Sequence, residues 1–211
     1  MNKVLHFLSG IPRSGSTVLA AILNQNPETH VSTTSGLTVA LGSLVNAWGE
    51  GVLNDTDPKR ERLAQTMRGT IDAFYGTTEK PVVIAKSRGW PSPEIMGAMT
   101  QVLERKPKII ATVRSVPECM ASFVRVANPD NLDEFMQGSP LVSHLKESYI
   151  NLEKGLSFAP DCFLIVEYDD LIEDPKKEME RIHEFLELPE FSYDFDNIDG
   201  EPVRENDEAV H

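Results

Sequence analysis

The sequence predicts an α/β fold of three layers, a central, mainly parallel sheet of about four to five strands with helices on both faces. Three observations carry that prediction. Short apolar runs read as buried strands, helical apolar spacing fills the intervals between them, and the two patterns alternate along the chain. A chain of 211 residues suits a single domain that buries a substantial core.

The elements follow in order. Val4-Leu5-His6-Phe7-Leu8 reads as the first buried strand, and Val18, Leu19, Ile22 and Leu23 share one face of the helix after it. Asp57-Pro58 supplies an N-cap and a first-turn proline for a helix carrying Leu63, Met67, Ile71 and Phe74 at helical spacing. Further strands are expected at Pro81 to Ala85, Lys108 to Val113 and Cys162 to Val166. Leu141, Leu145, Tyr149, Leu152 and Leu156 mark a helix before the last strand, and Asp174-Pro175 opens one with Met179, Ile182, Phe185 and Leu186 on one side. Residues 1–189 thus read as one domain. Residues 190–211, acidic and with few apolar anchors, read as a C-terminal tail or as the start of a longer C-terminal region.

Composition narrows the function classes. Cys119 and Cys162 are far apart in sequence and offer neither a metal-ligand spacing nor a disulfide framework, so the expected setting is the reducing cytoplasm. No apolar stretch approaches the length of a membrane span, so a membrane partner is not expected. The net charge of −13 resides entirely in residues 167–211, which hold 17 acidic and 4 basic residues. That is the pattern of a solvated acidic face. No basic stripe with interleaved aromatics exists, which argues against a nucleic-acid partner.

The chemistry is concentrated where strands end. Gly10-Ile11-Pro12-Arg13-Ser14-Gly15 has the Gly-x-x-x-x-Gly frame of a phosphate-cradling loop (P-loop), and Thr17 is its closing hydroxyl. A strand-to-helix turn of this kind directs backbone N–H groups and the positive end of a helix at an anion. Ser16, however, stands where a nucleotide triphosphatase carries its Lys, and the nearest fixed cation is Arg13. Ligands of open parallel sheets lie outside the carboxyl ends of the strands. There the second apolar strand is followed by Lys86-Ser87-Arg88 and the third by Arg114. Only the fourth ends in carboxylates, at Glu167-Tyr168-Asp169-Asp170. Three strand ends converging on positive charge describe a polyanion pocket that needs no metal.

These residues resemble the sulfotransferases that use 3′-phosphoadenosine-5′-phosphosulfate (PAPS). Ile11-Pro12-Arg13-Ser14-Gly15-Ser16-Thr17 looks like that family's 5′-phosphosulfate loop, in the Pro-Arg-Ser-Gly form also seen in tyrosylprotein sulfotransferases and bacterial relatives. Arg114 and Ser122, eight residues apart, match its 3′-phosphate motif. Tyr168-Asp169-Asp170-Leu171, with Asp174-Pro175 and Phe185-Leu186, resembles its late Tyr-Glu-Asp-Leu strand and helix. The likeness runs from about Leu8 to Pro189. It implies a three-layer P-loop fold and sulfonate transfer from PAPS to a hydroxyl or amine, with 3′,5′-ADP as product and no metal. Arg13, Ser14, Gly15, Ser16, Thr17, Arg114, Ser122 and Tyr168 would bind the cofactor, and Lys86 and Arg13 would serve the transferred group.

The resemblance leaves the general base open. The family's two base positions fall on Arg88 and Thr34, neither a base at neutral pH, and His30 is the nearest residue with a suitable pKa. Glu28 and His144 are further candidates. The family's late basic cofactor loop has no clear counterpart, since Arg204 is isolated among acids. Trp48, Trp90 and Met96 read either as acceptor-pocket lining or as packing. The acceptor class stays open among small alcohols, phenols, sugars and peptide tyrosines, and the acidic balance disfavours a highly sulfated glycan. Oligomeric state is not readable. Two other readings remain: a P-loop kinase or NTPase using Mg-ATP with Glu167 or Asp169 on the metal, and a nucleotide-binding protein without its catalytic base.

Overall fold

A computed structural model of the chain describes residues 3–32, 35–49 and 57–198. Five strands form one wholly parallel sheet: β1 (Val4–Gly10), β2 (Thr29–Val31), β3 (Val82–Lys86), β4 (Ile109–Val113) and β5 (Phe163–Glu167), in the spatial order β2-β3-β1-β4-β5. The expected three-layer α/β architecture is therefore the observed one. All four apolar runs are strands. The fifth, β2, has only three residues, Thr-His-Val, and no apolar run announces so short an edge element.

Helices cover both faces. On one side α1 (Ser16–Asn24), α8 (Tyr168–Glu173) and α9 (Pro175–Leu186) bury Leu19, Ile22, Leu171, Met179 and Ile182 against Leu8, Ile84, Ile110 and Val166 of the sheet. On the other side lie α2 (Leu37–Gly49), α3 (Asp57–Phe74), α4 (Pro93–Leu103), α5 (Val116–Ala127), α6 (Leu132–Gly138) and α7 (Pro140–Phe158). There Leu5, Phe7 and Ala85 meet Met67, Ile71, Met96 and Met99, while Ala111 meets Cys119, Phe123 and Leu145. Alternate residues of β1 serve opposite layers, as a pleated strand dictates.

Two helical faces are rotated from the sequence expectation. Tyr75 is buried and Phe74 is 40% exposed, because a 3.6-residue period carries the stripe of Ala64, Met67 and Ile71 on to position 75. In α7 the buried stripe runs Leu145, Ser148, Leu152, Gly155, which leaves Tyr149 outside. Gly155 is required there: a Cβ would stand 2.4 Å from the Pro91 carbonyl oxygen.

The crossovers place the functional edge. The chain leaves β1 through α1 towards β2 on one side, and later leaves β4 through α5 on the other. The carboxyl ends of β1 and β4 are thus the switch point where such sheets open a crevice.

Candidate active site

The loop between β1 and α1 is built around special backbone. Gly10 has φ 144° and Gly15 φ 87°, and Arg13 occupies the left-handed region at φ 68°. That conformation costs a non-glycine residue roughly 1–2 kcal/mol, so something must hold it. At Gly10, a Cβ would lie 2.3 Å from Thr112 Oγ1. Ser14 supplies the main tether. Its hydroxyl is fully buried and lies 2.6 Å from the Ile11 carbonyl oxygen, 2.9 Å from the Thr112 carbonyl oxygen and 2.6 Å from Thr112 Oγ1. Ser14 therefore spends its side chain fastening the loop to β4, which leaves only its backbone to face a ligand. Thr112 is the partner that sequence reasoning missed; the two residues are 98 apart, and no local signal pairs them.

Cations then gather around the crevice. Arg13 Nε donates to Ser122 Oγ at 2.9 Å, from the loop across to the second turn of α5. Lys86 Nζ donates to Thr17 Oγ1 at 3.0 Å, joining the end of β3 to the first turn of α1. The backbone N–H of Lys86 donates to Ser32 Oγ at 3.0 Å, which fixes that end of the strand. The first turn of α1 carries no acidic residue and no side-chain cap, with Gly15 at its N-cap. Its N–H groups, Ser16 among them, therefore lack side-chain acceptors of their own.

Arg114 leaves β4 one step beyond Val113, whose register partner on β5 is Glu167. Its guanidinium lies over the Tyr168 ring, 4.1 Å from the centroid. Its Nε is buried without a hydrogen-bond partner, although Glu118 Oε2 stands 3.5 Å away in an ion pair. Glu118 itself accepts from Ser115 Oγ at 2.5 Å; that hydrogen bond first, then the Arg114 charge, holds its carboxyl below the usual range. This neighbour was legible as Ser115-x-x-Glu118, the pattern of a capping box. Nearby, burial pushes the Cys119 thiol up, and the Arg114 charge only partly offsets that.

Residues 7–193 match the sequence profile of the Sulfotransferase family. The chain belongs to that family. The chain is similar in structure to the sulfotransferase domain of the Synechococcus PCC 7002 olefin synthase, with 24% identity and a TM-score of 0.59 over 93% of this chain and 75% of that one. A sulfotransferase from Alicyclobacillus acidocaldarius gives 14% identity and a TM-score of 0.60 over 92% and 85%. Mouse sulfotransferase SULT7A1 complexed with PAP gives 14% and 0.55 over 91% and 60%. At these identities the structural likeness is one of fold. Family membership itself implies transferase activity.

The remaining candidates lie in different places. His30 sits on edge strand β2 opposite Val83, three residues before Lys86 on β3, or about 10 Å below it along the sheet. Its ring meets Tyr75 edge-on, with centroids 6.0 Å apart. Glu28 precedes β2, its carbonyl accepting from the Val82 N–H at the amino edge. His144 lies exposed on the second turn of α7, next to Leu145, which packs in one cluster with Ile11 of the loop. Arg88 is exposed two residues beyond Lys86, whereas Thr34 and Arg204 lie outside the described residues. Trp90 and Met96 prove to be packing, each 1% exposed. The Trp90 indole donates to the Ala85 carbonyl at 2.7 Å, its ring 4.3 Å from that of Phe7. The Trp48 side chain is outside the described residues. Among the described residues, no group of three or more His, Cys, Asp or Glu could hold a metal ion, and no helix is long and apolar enough to cross a membrane.

Proposed function

We propose that this chain transfers the sulfonate group of PAPS to a hydroxyl or amine acceptor by in-line displacement, without a metal. The reading rests on one observation above the rest. The side chains gathered at these strand ends (Arg13 on Ser122, Lys86 on Thr17, and Arg114 with its buried Nε) are cations and hydroxyls, with the Glu118 carboxylate paired to Arg114. That donor set fits a ligand carrying two separate anionic groups. Arg114 and Ser122 would hold a 3′-phosphate, since a guanidinium offers a planar fork of donors and the hydroxyl lies on the second turn of α5, the helix that follows Arg114. The uncapped N–H groups of the loop, with Ser16 and Thr17, would hold the 5′-phosphosulfate end.

When bound, PAPS supplies a sulfonate attached to a phosphate that departs readily. Lys86 and Arg13 would stabilise charge developing on the departing oxygen, as fixed donors that need no reorganisation. Of the residues weighed as general base, His144 is the one next in sequence to a member of the apolar cluster that includes Ile11 of the loop. We assign it the proton of the acceptor. A pH–rate profile that loses its acid limb in His144→Ala, with cofactor affinity unchanged, supports that role; an unaltered limb removes it. The chain's setting is proposed to be the cytoplasm.

A thermal-shift titration tests the cofactor class, because a ligand that binds only the folded state raises the melting temperature. Stabilisation by 3′,5′-ADP, exceeding that by 5′-AMP and independent of Mg²⁺, is the expected result, and Arg114→Ala should abolish the difference. Stabilisation by Mg-ATP alone would move the chain to the kinase reading. That rival is disfavoured by Ser16, which stands where a nucleotide triphosphatase carries its loop Lys.

A further inference from the structure

Tyr168 occupies a position that its place in a strand-end motif does not explain. Its ring touches both halves of the crevice. On one side the Arg114 guanidinium stacks over it at 4.1 Å from the centroid. On another it fills the space in front of Gly15, where a Cβ would come within 2.6 Å of Tyr168 Cδ2 and 3.1 Å of Cε2. Gly15 therefore answers two demands, a left-handed φ of 87° and room for this ring.

We propose that Tyr168 is a positioning residue acting through Arg114: its ring, wedged between the phosphate loop and the guanidinium, orients Arg114 and so sets selectivity for a 3′-phosphorylated nucleotide. The proposal rests on the functional reading above and deepens it. Arg114 has 22% of its side chain exposed, and its Nε lacks a hydrogen bond, so few polar contacts define where its fork points. The Tyr168 ring below and the Glu118 carboxylate at 3.5 Å define it instead. A guanidinium on an aromatic face is held by the ring quadrupole, and the phenol oxygen contributes little to that attraction. The aromatic ring, rather than the hydroxyl, is thus the working part.

The test compares Tyr168→Phe and Tyr168→Leu with the native protein, using calorimetric titration of 3′,5′-ADP and 5′-AMP. Nuclear magnetic resonance of the Arg114 Nε–H in the nucleotide-free protein gives a second readout. An aromatic shelf predicts an upfield ring-current shift of that signal, kept in Tyr168→Phe and lost in Tyr168→Leu. Tyr168→Phe should bind 3′,5′-ADP within about twofold of native, while Tyr168→Leu weakens it by about five- to tenfold and leaves 5′-AMP unchanged. Tyr168→Met serves as a second ring-less variant should the leucine protein fold poorly. Equal losses in the phenylalanine and leucine proteins would overturn the proposal in favour of a hydroxyl contact. Equal losses for both nucleotides in Tyr168→Leu would overturn it in favour of loop support alone, and an unshifted native signal would deny the stack. A native protein that fails to distinguish 3′,5′-ADP from 5′-AMP refutes the 3′-phosphate assignment of Arg114, and this proposal with it. That failure shows without any variant and is separable from the others.

Discussion

The two edges of the sheet are finished in opposite ways. At the carboxyl edge, Arg13, Lys86 and Arg114 come from three different strand ends and reach hydroxyls or an aromatic face across a crevice. At the amino edge the chain closes over itself. After α9, His183 Nδ1 lies 2.6 Å from the Pro189 carbonyl oxygen and its Nε2 2.8 Å from the Tyr193 hydroxyl. Gln25 then clamps the backbone of Asp194, donating to its carbonyl at 2.7 Å and accepting from its N–H at 2.8 Å. Tyr193, Phe195 and Ile198 pack against the apolar cluster that α1 and α9 form with the sheet. Lys108 pairs with Glu187 at 2.8 Å. A cleft of about 300 Å³ bounded by Thr29, Val82, Leu188 and Phe191 lies at this closed edge, away from Lys86. A parallel sheet sends all its strand ends one way, so one edge is free to collect ligand donors while the other serves stability. Substitutions at the first should change binding and rate, those at the second melting and denaturation.

The largest effect is expected at the open edge. Lys86→Ala should slow single-turnover transfer from labelled PAPS by about 10²–10³-fold while 3′,5′-ADP affinity falls less than about tenfold. An equal loss in both would make Lys86 a binding residue only.

His6 provides the next test, at the closed edge. It is 2% exposed on β1, neither ring nitrogen has a hydrogen-bond partner, and its pKa is lowered to about 3, first by burial and then by Arg105 and Lys108. The unfolded chain takes up this proton near 6.5 and the folded one does not. Stability from this group is therefore full above pH 6.5 and declines as pH falls towards 3, by about 1.4 kcal/mol per pH unit. Urea midpoints between pH 6.5 and 4.5 should show that slope in the native protein and lose it in His6→Leu. An equal slope in both would place the acid sensitivity elsewhere.

A smaller effect belongs to the joint between the regions. Ser14→Ala removes the hydroxyl that ties Ile11 to Thr112, leaving the Thr112 hydroxyl only its longer contact to the Ser9 carbonyl at 3.4 Å, and should cost about 1–3 kcal/mol in urea denaturation. A midpoint unchanged from native would show that the loop is fastened by something else. Least of all, Gln25→Ala should cost about 0.5–1.5 kcal/mol and leave 3′,5′-ADP affinity intact. A changed affinity would mean that the two edges are coupled.

Much of this architecture was legible because its signals are local. Buried parallel strands read as continuous apolar runs, and Asp174 before Pro175 read as a cap, as its bond from the Lys177 N–H confirms at 3.1 Å. The loop showed itself through Gly10 and Gly15, residues tied to positive φ. Less legible were features without a local signal. Strand β2 is defined by pairing with β3 rather than by its own three residues. The described part of the acidic segment, residues 190–198, packs through side chains at alternate positions, Phe191, Tyr193 and Phe195, in a stretch whose charge dominates its composition.

The sequence by itself determined the fold class, the family and the kinds of group available at the strand ends. Each of these depends on residue type and spacing along the chain. Only the tertiary structure decided what those groups do to one another: Ser14 turned inward to Thr112, Arg13 set across to Ser122, and Arg114 laid on Tyr168. Such contacts join strands that neighbour in space through crossovers dozens of residues long, and no sequence period records them.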